Sequence, residues 1–332
     1  MQRFATGFVT KEQFPLVVEP HEKNLSFEAF CDLLREESGE IRKNLLKNGA
    51  ILFRNCPVQD EADFEAVIQT LNFGKFLDYV GGDSPRKKIR GGVYTSTEAP
   101  PEIKILLHNE FSFVKNFPKH IYFFCQVAPQ ANGETIIGDA RKIYKDIDEG
   151  VKQRFIEKGL KYVSCYYHKS KVMDFVVQRA HKTWLDVFET EDKQEVERKC
   201  RENEFEFEWN KNDWIRISQK RPAVYTHPDT QEKVWFNQVQ LYDFNPKFLG
   251  WWRYLATKAF YCRPHTKLHE VFYADGSRIA REDIYHILDV LDANTVYFPW
   301  QKGDVLVLDN VLAMHGRATF TGKRRILAAM TG

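Results

Sequence analysis

The chain has 332 residues, with 43% hydrophobic, 28% charged and 14% aromatic. That composition is typical of a globular protein with room for one large domain or two ordinary ones. The formal net charge is only +2, with acids and bases intermixed, and no apolar run approaches ~20 residues; both a dedicated nucleic-acid surface and a membrane span are therefore excluded as expectations.

The opening MQRFATGFVTKEQF has no apolar stretch of the signal-peptide kind, so a cytoplasmic location is expected. Cys31, Cys56, Cys125, Cys165, Cys200 and Cys262 are scattered and form no CxxC pair. They read as free thiols, mostly small buried apolar residues, rather than a zinc cluster or a disulfide framework.

In chain order, the apolar spacing between residues 25 and 48 predicts helix, stopped by Gly49, and AILFR (50–54) predicts a buried strand. DEADFEAVIQTL (60–71) is an amphipathic helix, and the Gly- and Pro-rich stretch 81–101 is loop-like. Strands are expected at 104–108, 120–128, 134–139 and 160–167, with a helix over 140–159. The middle of the chain mixes helices, at 192–203 and 281–291, with a strand over 233–241. Strands return at 295–300, 304–309 and 324–330. No Pro/Gly/Ser-rich linker marks a boundary, so the expectation is a single domain over 1–332 with a mixed helical insertion at about 140–293. If the early and late strands close on one another, residues near 108 come beside residues near 315.

LLHNEFS (106–112) carries the sharpest chemistry. In a strand, His108 and Glu110 project to one face. An imidazole and a carboxylate, joined by a distant second imidazole, form the facial triad of non-haem Fe(II) oxygenases. HxE alone is a common triplet, readable as a hydrogen-bonded histidine at a strand end. The distant partner makes it specific: DVLVLDNVLAMHGRATFTGKRRIL (304–327) presents His315 after a strong strand, and Arg325 ten residues later. A guanidinium there can grip a carboxylate bidentately.

These segments resemble the TauD/TfdA superfamily of Fe(II)- and 2-oxoglutarate-dependent dioxygenases, in its clavaminate synthase-like and syringomycin-biosynthesis hydroxylase-like branch. The matching segments include GAILFRN (49–55), GGDSPR (81–86), NGETIIGD (132–139), VWFNQVQL (234–241) and GDVLVLDNVLAMHGR (303–317). The resemblance implies a double-stranded β-helix, or jelly-roll, mainly β with surrounding helices. It implies His108, Glu110 and His315 as metal ligands, and Arg325 with Thr135 on the far carboxylate of 2-oxoglutarate. Glu110 stands where related halogenases carry a small residue, which argues against halogenation. Ala329 stands where taurine dioxygenases carry a sulfonate-binding arginine, which argues against a taurine-like substrate.

Arg86, Asn237 and Arg317 are candidate substrate contacts, the first two with a structural alternative: a solvated loop face for Arg86, a sheet hydrogen bond for Asn237. Gln238 is a candidate for orienting a metal ligand. Arg324 is expected to alternate outward from Arg325. The loop 81–101 and part of 170–230 are expected to form a lid. The activity implied is hydroxylation of an unactivated carbon, with Fe(II), 2-oxoglutarate and dioxygen, on an amino acid or related small metabolite. That substrate is free or tethered to a carrier protein, a candidate partner; neither nucleic acid nor membrane is expected. Desaturation or ring closure at the same iron, a silent binding protein on this fold, and a zinc hydrolase are the rivals.

Overall fold

The computed structural model describes residues 1–77, 86–97, 99–168, 182–261 and 268–332. Strands are numbered in chain order. An eight-stranded sheet joins β1 (Phe4–Phe8), β2 (Leu16–Pro20), β3 (Ala50–Phe53), β4 (Lys88–Arg90), β5 (Val93–Thr95), β7 (His120–Val127), β16 (Val305–Asp309) and β19 (Arg325–Thr331), in the order β1-β2-β3-β16-β7-β19-β5-β4. Its pairings are antiparallel except β2 with β3. A smaller sheet joins β6 (Ile105–His108), β17 (Ala313–Arg317) and β9 (Thr135–Asp139), in the order β6-β17-β9. Together they are the two faces of the jelly-roll. A third sheet, β11 (Glu206–Trp209), β12 (Ile215–Arg221), β10 (Leu160–Tyr166) and β15 (His269–Tyr273), belongs to the long middle segment. Two short pairs complete the set: β8 (Ala131–Asn132) with β18 (Phe320–Thr321), and β13 (Val224–Thr226) with β14 (Lys233–Trp235).

Side-chain alternation fixes which face of each strand meets the site. On the large sheet, Ile121, Phe123, Cys125, Leu306, Leu308, Ile326, Ala328 and Met330 share one apolar cluster with Ile137 and Ala313 of the small sheet. That cluster is the inside of the sandwich. The intervening residues Tyr122, Phe124, Val305, Val307, Leu327 and Ala329 pack outward against Phe30, Leu34, Phe64 and Ile68 of the N-terminal helices. On the small sheet Ile136, Met314 and Leu107 face outward, into a cluster with Ile143, Phe155 and Ile287. His315 and Arg317 on β17, and Thr135 on β9, share the inward parity of Ala313 and Ile137.

Most predicted elements stand where the sequence places them, with instructive departures. The helical stretch 25–48 divides into Phe27–Glu36 and Ser38–Asn48, and Gly49 ends it at φ 75°, a left-handed turn that suits glycine. The expected helix over 140–159 also divides, because Asp148 caps a second helix, Glu149–Lys158, by accepting from Val151 N–H. The expected strand over 233–241 stops at Trp235, and Val239–Tyr242 is a helical turn. Residues 295–300 make no strand; Val296 forms only a bridge to Ile137. Within the expected loop 81–101, β4 and β5 extend the large sheet beside β19. Parts of that loop, of the 170–230 segment expected as a lid, and Cys262 lie outside the described residues. The other five cysteines are free thiols, and Cys31, Cys125, Cys165 and Cys200 are buried.

One buried ion pair joins β3 to β16. Arg54 forks onto Asp304, Nε to Oδ1 at 3.0 Å and Nη2 to Oδ2 at 2.6 Å, and Nη2 also donates to the Pro299 carbonyl at 2.8 Å. Asp304 is 1% exposed, so removing its partner strands a charge in the interior. Arg54→Ala should destabilise the protein by about 3–5 kcal/mol, read as a lower midpoint in urea denaturation at pH 7.

Candidate metal centre

β17 lies between β6 and β9, and the register sets His315 opposite His108. Both side chains point into the sandwich, with ring centroids 4.5 Å apart. His108 Nδ1 lies 2.8 Å from the Leu106 carbonyl; as donor there, it leaves Nε2 as the free lone pair facing the site. Glu110 follows two residues on. Its Oε2 is 3.4 Å from His315 Nε2 and 2.8 Å from a terminal nitrogen of Arg86. One ligand atom from each of His108, Glu110 and His315 falls within 4.8 Å of the others, and among the described residues no second group of three does so.

The electrostatics suit a cation. Burial pulls His108 down to about 4, reinforced by His315 nearby, so its imidazole is neutral and able to ligate. For Glu110 burial opposes ionisation, but Arg86 and His315 together hold its carboxyl well below the ordinary carboxylate range. Two imidazoles and one carboxylate are the donor set that suits non-haem Fe(II). The residues present therefore fit that ion.

From the two histidines a narrow cleft runs past Phe123 and Thr135 to Arg324. Thr135 is 2% exposed. Arg324 donates from Nε to the Gly133 carbonyl at 2.8 Å and reaches Ser96 Oγ at 3.4 Å, and among the described residues no carboxylate pairs with it. Burial, then the like charge of Arg317, lowers it to about 10. A desolvated guanidinium with only neutral partners favours an anion at its open edge.

A family model, "Taurine catabolism dioxygenase TauD, TfdA family", matches residues 12–331. The chain belongs to the TauD/TfdA dioxygenase family. A clavaminate synthase-like protein of Arabidopsis thaliana is 29% identical over 326 residues, 96% of this chain and 93% of that protein. The dapdiamide synthesis protein DdaC of Enterobacter agglomerans is 33% identical over 287 residues, 86% of this chain and 83% of that protein. Among solved structures, PvcB of Pseudomonas aeruginosa has a TM-score of 0.55 at 14% identity, covering 99% of this chain and 91% of its own. That likeness speaks for the shared fold. Family membership and the His–Glu–His cluster together make this chain a non-haem Fe(II)/2-oxoglutarate dioxygenase, as the sequence resemblance implies.

The dioxygenase departs from its sequence reading at several positions. Arg325 is exposed, and Arg324 is the arginine of the cleft. The ladder with β7 shifts register between Arg325 and Ile326, so simple alternation along β19 does not carry back to the two arginines. Asn237 is fully buried and satisfied: Nδ2 donates to the Ala223 carbonyl at 2.8 Å and Oδ1 accepts from Val239 N–H at 3.1 Å. Its amide is engaged in the turn that follows β14. Arg317 borders the cleft, but its terminal nitrogens donate to the carbonyls of Thr97, Ala99, Pro100 and Ile103 at 2.6–3.3 Å. It fastens Thr97 and residues 99–103 beside the small sheet. Arg86 does reach the centre, on Glu110.

Two outcomes test the centre. His108→Ala and His315→Ala should each lose stoichiometric iron, measured by metal analysis after reconstitution; full iron in both would remove the assignment. Gly316→Ala should also weaken metal binding, because a Cβ there would sit 2.4 Å from the Ile105 carbonyl oxygen and 2.9 Å from Leu106 backbone. The added methyl pushes β6 away from β17 and parts the two histidines.

Proposed function

We propose that the protein hydroxylates an unactivated carbon of an amino acid or a related small metabolite, with His108, Glu110 and His315 holding Fe(II) and with Arg324 and Thr135 receiving the far carboxylate of 2-oxoglutarate. The observation that carries this reading is the pairing of a one-sided His–Glu–His cluster with an uncompensated guanidinium at the other end of the same cleft. Bound iron and 2-oxoglutarate supply the oxidising power that activates dioxygen.

The chain's own residues supply position and exclusion. Arg324 and the Thr135 hydroxyl fix one end of a dicarboxylate, so its keto-acid end reaches the histidines. Phe123, with its ring centroid 5.2 Å from that of His315, closes the inner wall against water. Arg317 pins the outer wall through its four carbonyls. Arg86 stands on the open side, where an anionic group of the substrate would compete with Glu110 for its guanidinium. The substrate class rests on the relation to a dapdiamide synthesis protein, and a carrier-tethered form of the same substrate fits the reading equally. Desaturation or ring closure would use the same residues and differ only in the product.

A panel of free and thioester-linked amino acids, scored by succinate formation and product mass, tests the reading. Hydroxylation adds one oxygen atom; desaturation or ring closure removes two hydrogens. Absence of 2-oxoglutarate turnover with every substrate, in iron-loaded protein, would refute it. Arg324→Ala should raise the dissociation constant for 2-oxoglutarate by roughly 30-fold or more, as expected for loss of a charged partner. Arg325→Ala should leave it unchanged in the same calorimetric titration.

A further inference from the structure

The β-ladder that sets the two histidines side by side ends two residues short of Glu110. The last pair between β6 and β17 is His108 with His315, so Asn109 and Glu110 lie beyond it without strand partners. Phe111 then takes φ 55° and the chain turns away. A ligand carboxylate on such a segment would ordinarily be loosely placed, since nothing in the sheet fixes its backbone.

Side-chain amides take over where the ladder stops. Asn310 brackets Glu110 from both sides: its Oδ1 accepts from Glu110 N–H at 2.8 Å, and its Nδ2 donates to the Glu110 carbonyl at 2.9 Å. One carboxamide thus mimics the missing strand neighbour. Asn109 returns the contact, donating from Nδ2 to the Asn310 carbonyl at 2.7 Å. From the other side come two glutamines. Gln238 Nε2 donates to the Asn109 carbonyl at 2.6 Å, and Gln240 Nε2 to the Leu107 carbonyl at 2.5 Å. Asn109, Asn310 and Gln240 are 0% exposed and Gln238 is 5% exposed. Asn310 is itself anchored, donating to the Pro118 carbonyl at 2.8 Å. The turn it occupies is capped by Asp309, whose Oδ1 accepts from Val311 and Leu312 N–H. The same turn leads directly into β17 and His315.

We propose that Asn310, Gln238 and Gln240 are positioning residues that set the affinity and coordination geometry of the metal by holding the backbone of residues 107–110 against the strand that carries His315. The proposal rests on the reading of His108, Glu110 and His315 as metal ligands. None of the three amides touches the metal or substrate. They act through the peptide groups on either side of His108 and Glu110, in a region where a buried polar group has no water to replace a lost partner.

The test is Co(II) binding, followed by the visible absorption of the Co(II)-loaded protein, which reports ligand geometry without turnover. Wild-type protein is titrated first; failure to bind Co(II) there would sink the metal assignment itself. Asn310→Asp keeps the acceptor and removes the donor. Gln238→Met and Gln240→Met keep length and remove the amide. Each should raise the Co(II) dissociation constant by ~10–100-fold, the usual cost of losing support behind a ligand, and shift the absorption envelope. Ile287→Val, in the helix Arg281–Ala293 outside the small sheet, serves as a stability control that leaves affinity and spectrum unchanged. If Asn310→Asp fails to fold, the two glutamine variants decide, because they leave the 309–312 turn intact. Wild-type Co(II) affinity and spectrum in the folded variants, or losses no larger than those of Ile287→Val, would overturn the proposal.

Discussion

The antiparallel pairing of His108 with His315 is the constraint on which the remaining geometry depends. More than two hundred residues of chain separate them, and the ladder brings their rings to 4.5 Å between centroids. A one-residue slip of β6 against β17 would turn one imidazole outward and replace it with Leu107 or Asn109. The register is held by what lies on each face. Ala313 and Ile137 are locked into the inner cluster, and Met314, Ile136 and Leu107 into the outer one. Gly316 lets the two backbones approach closely enough for the pairing to form. The His–Glu–His cluster thus has its two histidines set by sheet packing, and hydrogen-bonded amides lie against the backbone that carries its carboxylate.

Much of this was legible in the sequence because alternation and turn chemistry act locally. HNE on a short strand, GDVLVLD before a distant histidine, and Gly49 after a helix each carry their own physical reason. The illegible parts share a different cause. The strand Arg325–Thr331 is covered by helices on one side and by the sandwich interior on the other, so its residues from Ile326 onward are all buried. Apolar residues on both faces carry no phase, and nothing in RRILAAM says which arginine points inward. Spacing favoured Arg325; the fold leaves Arg325 exposed and lines the cleft with Arg324.

The amides illustrate a second limit. VWFNQVQL reads as a strand, yet it breaks after Trp235, and its glutamines end on backbone carbonyls of the LLHNEFS segment. A side chain that serves another segment's peptide groups leaves no periodic trace, because its partner is distant in sequence. Gln238 was recognisable as a buried amide in need of a partner. Asn310 was hidden inside a motif whose histidine drew the attention, although it is the residue that meets Glu110 on both sides.

The contact between Arg86 and Glu110 has a bearing on how the site is filled. The carboxylate that would ligate the metal already has a positive partner at 2.8 Å, and both side chains are almost wholly shielded from solvent, at 5% and 7% exposure. His108, Glu110 and His315 would hold a divalent ion beside a cation already in place, with Arg86 on Oε2 of the shared carboxylate. The repulsion between the two positive charges would weigh against metal uptake. Without such an ion the interior still holds no bare carboxylate, because Arg86 serves Glu110 as an internal counter-ion.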